Sequence, residues 1–314
     1  MKNKLLGICL GLFSLITYAN DSTGYVSTGG IKYIKNKNIA MESEDLYISE
    51  KKIDVAYQFR NLTNRDITET ILFPLPAFGN DERDGDFADV EALLNSFRVK
   101  VNGYAIKPAR HVNIVFPQNE AGNKFTDITS ILAKCGVSEK LLLDSWKHKI
   151  DSTVVNEKIA ACSNQTLQKL LNSYGNWENN WLVKVTYSWQ QTFKAHSVTK
   201  VEHHYEPLVG GGFAVTQGLD RFCTDKNFNQ KLSSLRKKNG NPPLFLTREL
   251  SYVLTTGANW AKPIGKFTLT IERKPNELVS LCWDKSLKKI SATQFRAVKT
   301  NFIPKKDIDI VFIN

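Results

Sequence analysis

The chain has 314 residues, of which 42% are hydrophobic and 23% are charged. A chain of this length can bury a substantial core, so a mini-scaffold held together by disulfides alone is excluded. The formal net charge of +11 at pH 7 favours anionic partners such as phospholipid head groups, lipopolysaccharide or acidic glycans.

The N-terminus has the pattern of a secretory signal peptide. A positive start precedes an apolar run over residues 5–16, and Ala19 ends a small-residue cleavage site. The run is shorter than the roughly 20 residues of a membrane span, and no later stretch is long and uncharged enough to anchor the chain. We therefore expect residues 1–19 to be removed before Asn20, which takes away Lys2 and Lys4 and lowers the charge from +11 to +9. The expected location is periplasmic, with an extracellular one as the alternative, and nucleic acid is not an expected partner.

The cysteines predict two disulfides. Cys9 leaves with the signal peptide, and an even number of cysteines remains in an oxidising compartment. Four cysteines allow three connectivities. Cys135 and Cys162 flank one helical segment, whereas Cys223 and Cys282 lie in the C-terminal half, so pairing within each half is favoured.

Strand-like alternation begins in the first half of the chain. Apolar residues occupy every second position over residues 53–59 and recur over 67–73, with turn-forming residues 61–66 between them. This pattern predicts a hairpin with one buried face. A further strand over 97–101 is expected to turn at residues 102–103, which are Asn and Gly.

The pattern becomes helical between about residues 127 and 174, where Ser163 is a candidate N-cap. The clearest alternation in the chain follows over 181–189, as expected for a sandwich core. A surface helix is predicted over 225–238. Later strands are predicted around residues 250–254, 267–271, 295–297 and 308–312.

The predicted fold is therefore mostly β. We expect an antiparallel β-sandwich over residues 20–218 with a helical insertion at about 127–174. A second, smaller β-rich region with one helix is expected over 219–314.

Several blocks together resemble a known family of exported Gram-negative proteins, the domain of unknown function 4424, over about residues 21–314. The blocks are residues 45–49, 73–76, 191–193, 204–207, 210–211, 252–260 and 289–291. The resemblance implies a compartment and an architecture, and it supplies no established activity or catalytic residues. A looser similarity to the vault and inter-alpha-trypsin type of β-sandwich suggests an interaction module.

An acidic segment over residues 80–91 approaches the spacing of a calcium loop. Asp84 stands at the fifth position, Gly85 at the sixth and Glu91 at the twelfth, so their oxygen atoms could surround one hard cation. The first position is Asn rather than Asp, and the preceding prolines indicate a strand end rather than a helix. An acidic surface loop is therefore favoured. If the segment did bind calcium, Asp84 and Glu91 would be the candidate ligands.

A histidine-rich segment offers a candidate zinc set of His196, Glu202 and His204. Adjacent His203 and His204 point to opposite faces of a strand, so the two cannot ligate one ion without a bulge. The favoured interpretation is a partly buried His204 beside Tyr205, hydrogen bonded within the sandwich.

The turn over residues 255–260 carries an amide and a large aromatic ring. An indole ring with an Asn beside it is a common sugar-binding arrangement. The favoured alternative is that Trp260 folds inward to close the end of the sandwich while Asn259 bonds the backbone of its turn.

These features favour an exported, non-catalytic binding or assembly module of the cell envelope. The expected partner is an anionic envelope component or another envelope protein, and neither a cofactor nor a catalytic residue is predicted. The alternative is an envelope hydrolase, metal-dependent through the histidine set above. The candidate binding residues are Asn259, Trp260, His204 and Tyr205.

Overall fold

The computed structural model describes residues 21–27, 30–79, 89–117, 125–146, 149–151, 153–173, 181–214, 219–238 and 245–314. The expected signal peptide lies outside these ranges. Within them, no helix is long and apolar enough to cross a membrane. The fold is mostly β and its sheets are largely antiparallel, which confirms the predicted class.

A seven-stranded antiparallel sheet forms one layer of the sandwich. Its spatial order is β10 (Phe125–Asp127), β9 (Ala109–Pro117), β11 (Leu182–Phe193), β5 (Ile67–Pro74), β1 (Ser22–Ser27) and β2 (Gly30–Ile34), and β6 (Phe78–Gly79) also pairs with β11. The face of β11 that the sequence pattern predicts to be buried is buried, at Val183, Val185 and Tyr187, and Thr186 and Ser188 on its other face are buried as well.

An eight-stranded sheet forms the second layer. Its spatial order is β17 (Lys288–Lys289), β18 (Gln294–Phe302), β15 (Ile264–Glu272), β3 (Ile39–Ile48), β4 (Ile53–Asn61), β12 (Val198–Tyr205), β7 (Arg98–Val101) and β8 (Tyr104–Ile106). Strand β15 pairs in parallel with β3, so C-terminal strands complete a sheet begun near the N-terminus. The expected boundary at residues 218/219 is therefore crossed by a shared sheet.

A four-stranded antiparallel sheet is built from the C-terminal half together with β13. Its order is β13 (Gly210–Ala214), β14 (Phe245–Tyr252), β19 (Ile308–Ile313) and β16 (Leu278–Leu281). Helix α6 (Lys226–Lys238) has the bounds that the sequence predicts for the surface helix, to within one residue. Its Phe228 and Leu232 join Phe222, Val311 and Ile313 in a small separate core.

The remaining helices precede β7 or fill the predicted insertion. They are α1 (Val90–Ser96), α2 (Thr129–Lys134), α3 (Glu139–Trp146), α4 (Thr153–Ala160) and α5 (Gln165–Asn172). The N-cap of α5 is Asn164 rather than the predicted Ser163, because the Asn164 Oδ1 atom accepts bonds from the amides of Thr166 and Leu167 at 3.0 and 3.1 Å. A disulfide joins Cys135, after α2, to Cys162, after α4.

The predicted hairpin of β4 and β5 is wrong, because the two strands lie in different sheets. Their buried faces meet across the core, so each shows the alternation of a half-buried strand without pairing with the other. The buried Asn61 holds the corner between them: its Nδ2 donates to the carbonyls of Arg65 and Phe193 at 2.8 and 2.9 Å. The β7–β8 hairpin is confirmed, with Asn102 and Gly103 at φ of 50° and 85°.

Candidate functional site

A cleft of about 370 Å³ opens between α1, the end of β12 and the four-stranded sheet. Its apolar walls come from Leu93 of α1, Leu208 of the β12–β13 connection and Leu250 of β14, together with Phe222. Residues far apart in sequence therefore meet in one concave surface. Three of the sequence blocks that resemble the family supply lining residues of the cleft. Pro76 comes from the first block, Tyr205 and Pro207 come from the second, and the two glycines of β13 form the third.

The glycine wall of the cleft is built from two residues with different tolerances. Gly211 has a φ of +125°, and a Cβ atom there would lie 2.1 Å from the Thr247 carbonyl oxygen, so only glycine fits. A Cβ on Gly210 would meet nothing closer than the Glu249 carbonyl oxygen at 4.0 Å. Because Gly210 pairs directly with Glu249, a side chain at Gly210 would project on the same face as the Glu249 side chain, which borders the cleft.

Polar groups stand at the rim of the cleft in two pairs. The Arg221 guanidinium forms an ion pair with Glu249 and lies 4.7 Å from the centre of the Phe222 ring. On the neighbouring strand pair, the Ser251 hydroxyl donates to Asp309 at 2.5 Å. The lining of the cleft is therefore mixed, with apolar side chains beside charged and hydroxyl groups.

A disulfide fixes the segment that carries Arg221 and Phe222. This 3₁₀ turn, Leu219–Phe222, leads directly into Cys223, which is bonded to Cys282 just after β16. The Ser280 hydroxyl also donates to the Phe222 carbonyl at 2.9 Å. The two connections hold one wall of the cleft against the four-stranded sheet.

Tyr205 borders this cleft, although its side chain is almost wholly buried, with 1% exposure. Burial raises the pKa of its hydroxyl far above the ordinary value. Tyr205 therefore contributes a neutral, largely enclosed wall rather than an exposed binding platform.

Trp260 lies in the core, at the end of the sandwich opposite the cleft. It is 1% exposed, its ring centre is 4.5 Å from that of Phe59, and its Nε1 donates to the Asp21 carbonyl at 2.7 Å. The Trp260 ring is therefore folded into the core, as the favoured alternative expected. Asn259 bonds the Ser22 hydroxyl at 3.1 Å instead of its own turn.

The four candidate binding residues do not form one site. Tyr205 pairs with Ile53 of β4, whereas Trp260 packs on Phe59, six residues further along that strand. At the rise of a β-strand this separation is about 20 Å. His204 points away from both, toward solvent.

His204 is half exposed on the outer face of the sheet rather than held inside the sandwich as the favoured interpretation expected, and His203 is the buried residue. The side chain of His204 is 49% exposed and its Nδ1 lies 2.6 Å from Asp54 Oδ1. His203 shares its face of β12 with Val201 and Tyr205, and its side chain is 0% exposed. Because side chains alternate between the two faces of a strand, the apolar residues two positions before and after His203 identify it in the sequence as the buried histidine.

Sequence reasoning missed the partner of His203. The His203 Nε2 atom lies 3.0 Å from Asp21 Oδ1, inside the core. The imidazole is surrounded by Phe73, Phe97 and Trp189, with ring centres 4.6, 5.5 and 5.4 Å away. Burial raises the pKa of Asp21, while the histidine lowers it in part. No local motif could predict this pair, because the two residues are 182 positions apart in the sequence.

The structure does not bring the candidate zinc set together. His196 lies in the turn before β12 begins at Val198, and six strand residues, about 20 Å, separate Val198 from His204. Asp84, with most of the candidate calcium loop, lies outside the described residues, and Glu91 sits in the first turn of α1. In the described part of the chain, no group of three or more His, Cys, Asp or Glu residues could hold a metal.

A buried cluster of opposite charges adjoins the cleft through Pro207, which lines both the cleft and the depression beside Glu50. The Arg248 Nη1 atom lies 3.6 Å from Glu50 Oε1 and from Glu277 Oε1, and the Lys274 amine pairs with Glu50. Burial, aided by Glu50, raises the pKa of Glu277 to about 7. The cluster ties the four-stranded sheet to the β3–β4 turn.

Residues 19–311 match the family described as Domain of unknown function (DUF4424). The chain belongs to this family. No curated protein matches the DUF4424 chain.

The fold of this DUF4424 protein is compared with two solved structures. A provisionally named nutrient binding protein from Legionella pneumophila aligns with a TM-score of 0.46 and 16% identity, over 94% of this chain and 70% of its own. An M1 zinc metallopeptidase from Deinococcus radiodurans aligns with a TM-score of 0.31 and 8% identity, over 89% of this chain and 43% of its own. Both similarities are too distant to transfer a site or an activity.

Proposed function

We propose that the protein is an exported, periplasmic, non-catalytic binding module of the cell envelope, and that its cleft holds a small ligand. The observation that carries the proposal is the cleft itself, whose volume of about 370 Å³ falls within the range of small-molecule sites. Its mixed apolar and polar lining suits a ligand that has both an apolar part and several hydrogen-bonding groups.

The construction of the cleft supports a binding role. Gly211 can be no other residue without strain, and its neighbour Gly210 leaves the face beside Glu249 free of a side chain. The Cys223–Cys282 disulfide holds the Arg221 wall in place. A preformed wall of this kind lowers the entropic cost of ordering a binding site around a ligand.

The disulfides also support the proposed compartment. Bonds between Cys135 and Cys162 and between Cys223 and Cys282 persist in oxidising compartments and are rare in the cytosol. Together with the charge pattern of residues 1–19, they favour export to the periplasm.

A neutral fluorescent probe, N-phenyl-1-naphthylamine, tests the cleft in the purified mature protein. We expect saturable binding that weakens about tenfold or more in Gly210→Val, because the new side chain projects into the cleft while the backbone accepts it. Ala105→Val, on the exposed strand β8, is the matched control and should bind like wild type. Equal binding by wild type and Gly210→Val, with both folded by circular dichroism, would reject the cleft as the ligand site. If Gly210→Val does weaken binding, periplasmic small-molecule fractions can be screened for displacement of the probe to identify the natural ligand.

A further inference from the structure

The outer face of the eight-stranded sheet is a broad polar surface separate from the cleft. Strand register places one row of side chains across six strands: Arg98, His204, Asp54, Tyr47, Thr270 and Arg296. Five strand spacings of roughly 4.8 Å make this row about 24 Å long. The face is therefore long enough for several units of an extended polymer.

The centre of this face is a shallow valley of about 530 Å³. Exposed Ala56 forms its floor, because the register places Ala56 between Asp45 of β3 and Glu202 of β12. The small side chain leaves the strand backbone accessible between two carboxylates. Tyr47 lies beside the valley and stacks under the Lys52 amine, which is 5.0 Å from the ring centre.

The charged groups around the valley differ in how far they are already bonded within the protein. Asp54 is held by Lys52 at 2.7 Å and by His204 at 2.6 Å. Partial burial raises the pKa of Asp54, but these two hydrogen bonds lower it more, so it stays below the ordinary value. Five exposed cations on the outer face form no ion pair with any described carboxylate: Arg98, Lys100, Lys200, Lys266 and Arg296. The Nη1 atom of Arg98 donates to the carbonyls of Asn95 and Phe97, and the Nε atom of Arg296 donates to the Thr270 hydroxyl, which leaves their other guanidinium donors for a ligand.

This mixture of charges restricts the class of ligand. A dense polyanion would meet Asp45 and Glu202 at the valley floor and be repelled. A neutral polymer would leave the cations without partners. Sugar hydroxyls can donate to the two carboxylates, and well-spaced anionic groups can accept from Arg98, Lys100 and Arg296.

We infer that the outer face of the eight-stranded sheet binds an acidic glycan, a chain of hydroxylated sugars with spaced carboxylate or phosphate groups. The ligand is the polysaccharide chain itself rather than a membrane surface, since the carboxylates of the valley oppose an anionic bilayer. The inference does not depend on the cleft, because the two surfaces share no lining residue.

The probe is an octasaccharide of alternating N-acetylglucosamine and glucuronate, titrated calorimetrically into the mature protein at low salt. We expect binding that weakens as salt rises, and no binding of neutral maltooctaose. The double variant Lys100→Gln/Lys200→Gln should bind about tenfold more weakly. The control Lys226→Gln/Lys231→Gln removes the same charge from exposed positions of α6 and should bind like wild type.

A second variant separates shape from charge. Ala56→Trp fills the valley without changing the net charge, and an exposed strand position accepts an aromatic residue. It should abolish glycan binding while the protein still binds the neutral probe of the cleft. Failure of the wild type to bind the acidic octasaccharide, or equal binding of maltooctaose, would overturn the inference. Binding to phosphatidylglycerol vesicles in place of the octasaccharide would also overturn it and assign the face to a membrane.

Discussion

The two faces of the eight-stranded sheet carry similar side-chain types in opposite surroundings. On the inner face, His203 is fully buried among aromatic rings and bonded to Asp21. On the outer face, the next residue, His204, is half exposed and bonded to Asp54. The alternation of a β-strand thus assigns one histidine–carboxylate pair to the core and the other to a surface where a ligand can reach it.

The largest expected effect is on the inner face, at Trp260. Trp260→Ala should lower the free energy of unfolding by about 3 to 5 kcal/mol, because it leaves a cavity beside Phe59. Tyr104 is 79% exposed on β8, so Tyr104→Ala is the matched control and should change stability by less than about 0.5 kcal/mol. Urea unfolding followed by circular dichroism measures both. A Trp260→Ala protein as stable as wild type would show that the ring does not fill the core.

The two carboxylates that bind histidines extend the comparison. Asp21→Ala should destabilise the protein by about 3 kcal/mol, since it breaks a buried pair and leaves His203 without its partner. Asp54→Ala should cost no more than about 1 kcal/mol, because the pair with His204 is in contact with water. Equal costs in chemical denaturation would mean that burial does not distinguish the two faces.

A pH titration of stability compares a buried carboxyl group with an exposed one. The pKa of Glu277 is raised from 4.5 to about 7, so the native state binds more protons than the unfolded state between these values. Stability should therefore fall as pH rises from about 4.5 to 7, by about 3 kcal/mol, and Glu277→Gln should remove this component.

Asp284 provides the opposite sign. Its pKa is lowered by a hydrogen bond from Lys299 and by Ser286, so its contribution to stability is lost as pH falls below the ordinary range of an Asp. Asp284→Asn should leave the decline between pH 4.5 and 7 unchanged. Thermal melts of both variants across pH 4 to 8 would contradict this assignment if Glu277→Gln retained the wild-type decline.

The smallest of these effects compares two adjacent glycines at the cleft. Gly211→Ala should destabilise the protein by about 1 to 2 kcal/mol, because its φ of +125° is unfavourable for alanine and its Cβ would strike the Thr247 carbonyl. Gly210→Ala should be nearly neutral, since space is available there. Thermal melts of the two single variants, run side by side, test this order. A larger loss of stability in Gly210→Ala than in Gly211→Ala would contradict it.

Much of the local structure is predictable from sequence. The buried face of β11 and the turn at Asn102 and Gly103 follow from strand periodicity and from the preference of that turn for positive φ. The cysteines of each half are paired, as their positions along the chain favoured. These features depend on residues close in sequence or on the oxidising compartment.

Strand partners are harder to predict, because alternation reveals a buried face but not its neighbour. The β4–β5 corner has the same pattern as a hairpin, and the parallel pairing of β3 with β15 joins residues more than 200 positions apart. The cleft has the same difficulty, since its lining extends from Pro76 to Asp309. No single sequence motif could predict a surface that is built from so many separate segments.

The most direct test of the account maps where a ligand binds. Backbone amide shifts of the isotopically labelled mature protein would be recorded with and without N-phenyl-1-naphthylamine. The account predicts the largest changes at Gly210, Gly211, Phe222 and Leu250, which line the cleft. The largest changes at Asn259 and Trp260, about 20 Å along the sandwich, would contradict it.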